Sequence, residues 1–570
     1  MKNRAHLLVA IAGALLLAVF AVAVPKPVAS DAPAMEFSAD RAMADVREIA
    51  RAPHPTGSAE NARVRDYLAE RLRSMGMTVV AREAALGERG RKRLSAWQGG
   101  EGGEGGEVQS VNVIGVLEGR DPARPALLLM AHHDSVWASP GAADDGAGIA
   151  AILETVRAIQ AGGQPERTLM VLFTDAEELG LDGAHHFFQH DPLRDRVGVV
   201  VNLEARGGGG RAAMFETGYD NGAMIDLFAG AVRRPLATSV SVFVYNNMPN
   251  STDYTAAKEQ GVPGFNFAFV GRPELYHSPM ATAEALDPGS LQDMGRQALD
   301  LSRALLAVPE LPGKAPDRVF FDLFGLVFLV YSGWLGWLVL ALAAGAYGYA
   351  AWGVASLRGL GRGIAVVLAT LVAGGVLLYA GNWVSGADGP VNYYDRLAAI
   401  PLLAVQAVLL CLATLALVAG LLLDDRPIDP LLPAIAAPLL LMAVLAQAFA
   451  ATAAFPFYLP LVLGGFGAAA RRWRPGPIGD WTTTFAAMLG VGYLLTLGHG
   501  LFLAMGPEMP YALVLSLALC VPLLAPLCVR IERRRMLVLA AGLVVLALAV
   551  ALWVRFDDVA ATVPPYSGFH

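Results

Sequence analysis

The sequence predicts two architectures joined in one chain. An α/β sandwich on a mostly parallel mixed sheet is followed by an all-α polytopic membrane domain of about eight helices, and one membrane helix precedes both. Three observations predict this. Uncharged runs long enough to cross a bilayer occur at the N-terminus and then only after Val319. Between them, runs rich in Val, Leu and Ile alternate with amphipathic helical patterns, the signature of a layered α/β domain. The chain of 570 residues is 55% hydrophobic and 16% charged, with a mean hydropathy of +0.47, too apolar for an ordinary soluble protein of that length. The same balance excludes disorder and collagen-like structure.

At the N-terminus, Lys2 and Arg4 precede an uncharged stretch over 7–24, which ends before Pro25 and Lys26. Its eighteen residues, at about 1.5 Å each, approach the roughly 30 Å of a hydrocarbon core. Residues 1–30 are therefore a transmembrane anchor or a cleaved signal peptide, since the small residues at 21–23 and 28–30 suit a signal peptidase. Both readings place the adjoining domain outside the cytoplasm, because positive residues stay inside.

Residues 34–316 form the expected extracytoplasmic domain. Strands are predicted at 110–116, 126–131, 168–174 and 197–203, and helices at 60–75 and 148–159. The GGE repetition at 99–106 reads as a flexible surface insertion. The membrane domain, 319–554, carries uncharged runs at 323–353, 363–384, 398–423, 431–452, 454–470, 482–505, 512–529 and 536–554, and a short extracytoplasmic tail, 555–570, completes the chain. Arg358 and Arg362, then Arg426, then Arg471, Arg472 and Arg474, then Arg530, Arg533, Arg534 and Arg535 occupy every second connector. The alternate connectors are poor in Lys and Arg. Nine spans with the N-terminus inside and the C-terminus outside satisfy the positive-inside rule at every loop. His499 has no partnered carboxylate at mid-span and reads as a packed histidine, and no HExxH motif occurs.

A net charge of -7, without a basic block in the α/β domain, argues against nucleic acid as a partner. The lipid bilayer is a partner by composition. Cys411, Cys520 and Cys528 all lie in the membrane half, so the α/β domain has no disulfide, no cysteine zinc site and no cysteine nucleophile. Only five of the 43 basic residues are Lys, and with abundant Ala, Gly and Leu this points to a GC-rich bacterium and an inner-membrane location, with the domain in the periplasm or outside.

Polar clusters directly follow the predicted strands, at the carboxyl ends where α/β sheets bind ligands. They are His132, His133, Asp134 and Ser135; Asp175, Glu177 and Glu178; and Asn202 with Glu204. Asp144 and Asp145 lie in GAADDGAG, ahead of a helix, and His277 comes later, in LYHSP. Seven of the ten histidines fall between His54 and His277. Two imidazoles with three or more carboxylates suit zinc or a similar divalent metal, and an odd carboxylate allows one to bridge two ions. Gly207, Gly208, Gly209 and Gly210 read as a tight turn rather than an anion nest, because no P-loop lysine accompanies them. His185, His186 and His190 read as surface or neighbouring groups rather than ligands.

The segments AHHDSVWASPGAADDGAG, TDAEELGLDGAHHF, VVNLEARG and ELYHSPMAT together resemble the co-catalytic zinc aminopeptidases of metallopeptidase family twenty-eight. Upstream, HPTGSAENARVRDYLAERLRSMG is similar to that family's entrance helix, so the likeness covers nearly all of 40–305. With a polytopic half attached, the chain is most similar to the endoplasmic reticulum metallopeptidase and vacuolar membrane protease branch, here in bacterial form. The resemblance implies a zinc-exopeptidase sandwich holding two Zn2+ ions, one on His132 and Glu204, the other on Glu178 and His277, with Asp144 bridging. It implies Glu177 as general base, Asp134 as the group orienting His132, and Tyr276 as a donor to the oxyanion. The implied activity is aminopeptidase hydrolysis of short peptides, whose pocket for the first residue is shaped by 250–267 and is apolar. Two departures are visible: Glu204 stands where many secreted relatives have Asp, and Met280, Ala281 and Thr282 stand where an Asp often follows the last histidine. The alternatives are a glutaminyl-cyclase-like acyltransferase with one zinc and a non-catalytic peptide-binding receptor or transporter.

Overall fold

A computed structural model describes residues 2–97, 108–387, 399–423, 428–505, 509–528 and 532–557. The glycine-rich insertion at 99–106, Arg426, Arg530 and the tail from 558 onward lie outside the described residues. The chain divides into two compact units, one formed by Ala23–Asp322 and the other by Met1–Val22 with Leu323–Asp558.

The α/β unit is built on seven strands: β1 (Thr78–Ala85), β2 (Gln109–Leu117), β3 (Ala126–His132), β4 (Leu169–Thr174), β5 (Val197–Ala205), β6 (Ala213–Thr217) and β7 (Gly264–Phe269). They lie in the order β1-β2-β4-β3-β5-β7-β6. The centre, β4-β3-β5-β7, is parallel, whereas β1, β2 and β6 pair antiparallel at the two sides. The sequence explains this division. β3 (ALLLMAH), β4 (LMVLFT) and β7 (GFNFAF) are buried along their whole length, as central strands covered on both faces must be. β1 instead alternates between exposed and half-buried positions, as an edge strand does.

One face of the sheet, carrying Ile114, Leu128, Met130, Met170, Leu172 and Val200, packs on Phe187, Phe188, Tyr254 and Ala257. The helix Gly146–Gln160, buried at every position except Arg157 and Gln160, packs against β3 and against the helix Pro288–Ala307. Both helices begin at an aspartate whose side chain accepts a main-chain N–H: Asp145 from Gly148, and Asp287 from Gly289. The four strands expected from the sequence are all present, and the parallel core brings the carboxyl ends of β3, β4 and β5 to one edge, with β2 running the other way. Gly207 (φ +155°) and Gly210 (φ +90°) form a turn after β5, where a Cβ on Gly207 would lie 2.2 Å from the Gly271 carbonyl oxygen.

In the other unit, among the described residues, seven helices are long and apolar enough to cross a membrane: Ala5–Val22, Leu357–Ser385, Ile400–Leu422, Asp429–Phe449, Pro477–Met505, Pro510–Leu527 and Arg533–Phe556. The run expected at 323–353 divides differently. Val327–Ser332 (VFLVYS), rich in β-branched and aromatic residues, is a strand, and the apolar helix Leu335–Ala351 has 17 residues. The run expected at 454–470 is the helix Phe455–Trp473, which is lowered in hydropathy by Arg471 and Arg472 in its last turn. The N-terminal helix packs on Pro477–Met505 through small residues, Gly13 meeting Met488 and Gly492 meeting Ala14. Near its start, His6 Nδ1 lies 2.9 Å from Thr484 Oγ1, and the ring stands edge-on to Trp481.

Candidate metal centre

His132 is the last residue of β3, and its two ring nitrogens have different tasks. Nδ1 is 2.9 Å from the main-chain oxygen of Asp134, which only accepts, so Nδ1 carries the proton and the lone pair of Nε2 faces inward. There Nε2 is 3.0 Å from Asp144 Oδ1 and 3.8 Å from Glu204 Oε2. On the opposite side, His277 Nε2 lies 3.1 Å from Asp144 Oδ2 and 3.0 Å from Glu178 Oε1. Asp144 therefore presents one oxygen to each imidazole. Among the described residues, three groups have potential ligand atoms that lie mutually within 4.8 Å: His132, Asp144 and Glu204; His132, Glu177 and Glu178; and Asp144, Glu178 and His277. The structure thus brings together His132, Asp144, Glu177, Glu178, Glu204 and His277.

Electrostatics show what such a set needs. Burial pushes the Glu204 carboxyl up to about 8 and raises Glu177 well above the usual carboxylate range. Asp144 is buried too, yet its contacts with the His132 and His277 rings hold its carboxyl below the usual range. For His132, burial opposes the charged form, but its contacts with Asp134 and Asp144 outweigh this and raise its pKa. Four acidic groups facing two imidazoles in so little space cannot all be ionised without added positive charge. A divalent cation supplies that charge, and mixed nitrogen and carboxylate donors are a zinc set. The residues present fit the metal.

Asp134 sits beneath the carboxylates. Its Oδ1 accepts the N–H of Glu177 at 3.0 Å and its Oδ2 that of Glu178 at 3.1 Å, while Oδ1 is 3.5 Å from His132 Nδ1. Asp134 therefore reaches His132 mainly through its main-chain carbonyl and spends its carboxylate on the turn that carries Glu177 and Glu178. Ala176, just before that turn, is left-handed at φ 62°, and His277 is so at φ 53°. For side-chain-bearing residues such positions cost about 1–2 kcal/mol and occur at sites where the surroundings impose them. Asp175 is tied below by Thr56 Oγ1 at 2.9 Å and the Val111 N–H at 2.9 Å. His133 turns away, its Nε2 3.0 Å from the Val111 carbonyl oxygen. The Tyr276 ring lies flat on His277, centroids 3.8 Å apart, with Arg206 6.0 Å from the Tyr276 ring. His185, His186 and His190 belong to none of the three groups.

The stretch 250–267, expected to supply an apolar pocket, is corrected by the structure. Tyr254, Phe265 and Phe267 are fully buried in the core, with Phe265 and Phe267 packed on Phe228. Strand alternation turns the polar Asn266 of that stretch, instead of its rings, toward β5. There Asn266 meets Asn202, which donates to Glu204. Sequence reasoning also missed Tyr245, whose hydroxyl bonds Thr252 and is pushed up by burial and by the charges of Glu216, Glu204 and Glu177. Nothing in VFVYNN distinguishes that tyrosine from core.

Residues 112–302, which carry every one of these groups, match the family model described as peptidase family M28. This stretch of the α/β unit is similar to the M28 peptidases. Relatives are proteases by name. The vacuolar membrane protease of Candida albicans (strain WO-1) is 38% identical over 258 residues, 45% of this chain and 29% of the relative. Endoplasmic reticulum metallopeptidase 1 of Mus musculus is 33% identical over 236 residues, 40% of this chain and 26% of the relative. The chain thus spans under a third of the length of these two relatives. Among solved structures, an aminopeptidase from Aneurinibacillus sp. strain AM-1 is similar at 16% identity and a TM-score of 0.38, covering 50% of this chain and 97% of that one.

Proposed function

We propose that this chain is a membrane-bound, zinc-dependent exopeptidase, an aminopeptidase that releases N-terminal residues from short peptides. The observation that carries the reading is the shared carboxylate, with Asp144 Oδ1 3.0 Å from one imidazole and Oδ2 3.1 Å from the other. A carboxylate divided in this way is the bridge that a two-ion centre needs, with His132 and Glu204 completing one site and Glu178 and His277 the other. Zinc, when bound, polarises the scissile carbonyl and makes the attacking water acidic. Glu177 takes the water's proton on its carboxylate and hands it to the leaving amine. Tyr276, stacked on His277, donates its hydroxyl to the oxygen on which charge develops. Asp134 holds His132 in the required tautomer and fixes the main chain of Glu177 and Glu178.

The name of one relative, a vacuolar membrane protease, supports action at a membrane, and the arginine pattern of the connectors supports a domain outside the cytoplasm. The Arg-rich, Lys-poor composition supports a bacterial inner membrane with the domain in the periplasm. Packing of the N-terminal helix on Pro477–Met505 supports a retained anchor rather than a cleaved signal.

The test is metal analysis of the purified full chain together with hydrolysis of aminoacyl and N-blocked peptides, with and without chelator. Two zincs per chain and chelator-sensitive release of N-terminal residues are expected. One zinc with pyroglutamate formation would replace the reading by a cyclase. No metal after zinc supplementation, with no cleavage, would leave a peptide-binding receptor or transporter.

A further inference from the structure

We propose that a hydrogen-bonded ladder crossing three strands, from Glu204 through Asn202 and Asn266 to Glu216 with Lys258 at its far end, is a positioning device that fixes the Glu204 carboxylate for the metal centre. This rests on the reading of His132, Asp144 and Glu204 as one metal site. The ladder arises from register. Asn202 of β5 is the Cα partner of Asn266 in β7, and Glu216 of β6 is the partner of Asn266 on the other side. Asn202 and Glu204, two residues apart on one strand, share a face. Asn202 and Asn266 are 0% exposed and Glu216 is 2% exposed, in a sheet whose remaining interior is largely apolar. For stability alone, apolar side chains at these positions would do as well or better, since buried polar groups at best recover their desolvation cost.

The direction of the ladder is set at its far end. Lys258 Nζ lies 3.0 Å from Glu216 Oε1, so Glu216 is a carboxylate and can only accept. Asn266 must then turn its amide nitrogen outward, where it donates to Glu216 Oε2 at 3.0 Å and to Thr252 Oγ1 at 2.8 Å. That leaves Asn266 Oδ1 facing Asn202, whose nitrogen donates to it at 3.0 Å and sends its remaining proton to Glu204 Oε1 at 3.1 Å. Glu204 is left with Oε2 directed at His132. A glutamate has one more rotatable bond than an aspartate, and the ladder removes that freedom in advance. One oxygen is held by Asn202 and the other is offered to the metal. A positive charge at Lys258 thereby determines, through two amides, which oxygen of Glu204 is available.

The experiment uses the full chain in detergent with three variants, Asn266→Leu, Lys258→Met and the charge-keeping Lys258→Arg. Zinc affinity is measured by competition with a chromophoric chelator, kcat and KM are separated on an aminoacyl peptide, and the melting temperature is recorded without metal. Asn266→Leu and Lys258→Met are expected to weaken zinc binding by about tenfold to hundredfold and to lower kcat with KM little changed, whatever their melting temperatures. Lys258→Arg should retain wild-type affinity. Unchanged zinc affinity in Asn266→Leu and Lys258→Met would overturn the proposal. If Asn266→Leu does not fold, Lys258→Met, at the partly exposed end of the ladder, decides alone. Wild-type protein that binds zinc but cleaves no peptide would sink the peptidase reading and leave the ladder to stand on affinity, whereas protein that binds no zinc overturns both.

Discussion

At the scale of single residues, the site separates groups that hold charge from groups that move it. Glu177→Gln keeps the shape of the side chain but removes its ability to accept a proton, so kcat should fall by about 10²–10⁴-fold or more while metal content by elemental analysis stays at the wild-type level. Asp144→Asn acts on the other half. An amide offers one oxygen and turns a donor toward the second imidazole, so bound metal should drop below the wild-type stoichiometry together with activity. His54, buried beside His133 and Asp134, gives a pH prediction. Burial lowers its pKa to about 4 from an unfolded value near 6.5, so the folded state binds fewer protons and stability is lost as pH falls through that window. Replacing it by Gln should flatten the dependence of melting temperature on pH between about 6.5 and 4 relative to wild type. His132, Glu177, Glu178 and Glu204 are legible in the sequence because they end an apolar strand run or directly follow one, whereas Asp144 and His277 lie away from the strand ends and are reached through the resemblance of their motifs. Glu216 and Lys258 were not, because their relation to Glu204 exists only through the pairing of strands remote in sequence. The rings of Tyr254, Phe265 and Phe267 were read as a pocket because composition does not tell which face of a strand meets the core.

At the scale of elements, the strands that frame the site were readable where they are long, apolar and buried on both faces. β6, with five residues, carries little periodicity, and β7 is interrupted by Asn266, so neither is readable. The helix Asp182–His190 shows how closely such elements meet. A Cβ on Gly183 would lie 2.3 Å from the Asp175 carbonyl oxygen and 2.4 Å from Asn112 Oδ1, both fixed by hydrogen bonds of their own. Gly183→Ala should therefore destabilise the domain by about 1–3 kcal/mol in chemical denaturation, and should lower kcat because Asp175 supports the turn bearing Glu177. The strand and shortened helix at the start of the membrane half escaped the sequence because a strand of Phe, Leu, Val and Tyr is as hydrophobic as a helix. Hydropathy carries no sign of backbone conformation.

At the scale of the molecule, the division into an α/β unit and a helical unit was legible from the placement of charge alone, since few side chains suit both water and hydrocarbon. The two units should also respond differently to metal. Chelation removes the cation that offsets four acidic groups in the α/β unit, and at about a hundred times the dissociation constant a bound ion contributes about 2.7 kcal/mol. A chelated sample should show an earlier unfolding transition for the α/β unit while the helical signal of the membrane unit melts unchanged. Finally, the chain leaves the helical unit after Val22 and rejoins it at Leu323, with the N-terminal helix docked on Pro477–Met505. The α/β unit is thus inserted in sequence between the first helix and the rest of the helical unit. If the first helix is retained, as proposed, releasing the α/β unit would take two cuts, and a single nick in one connection would leave it held through the other.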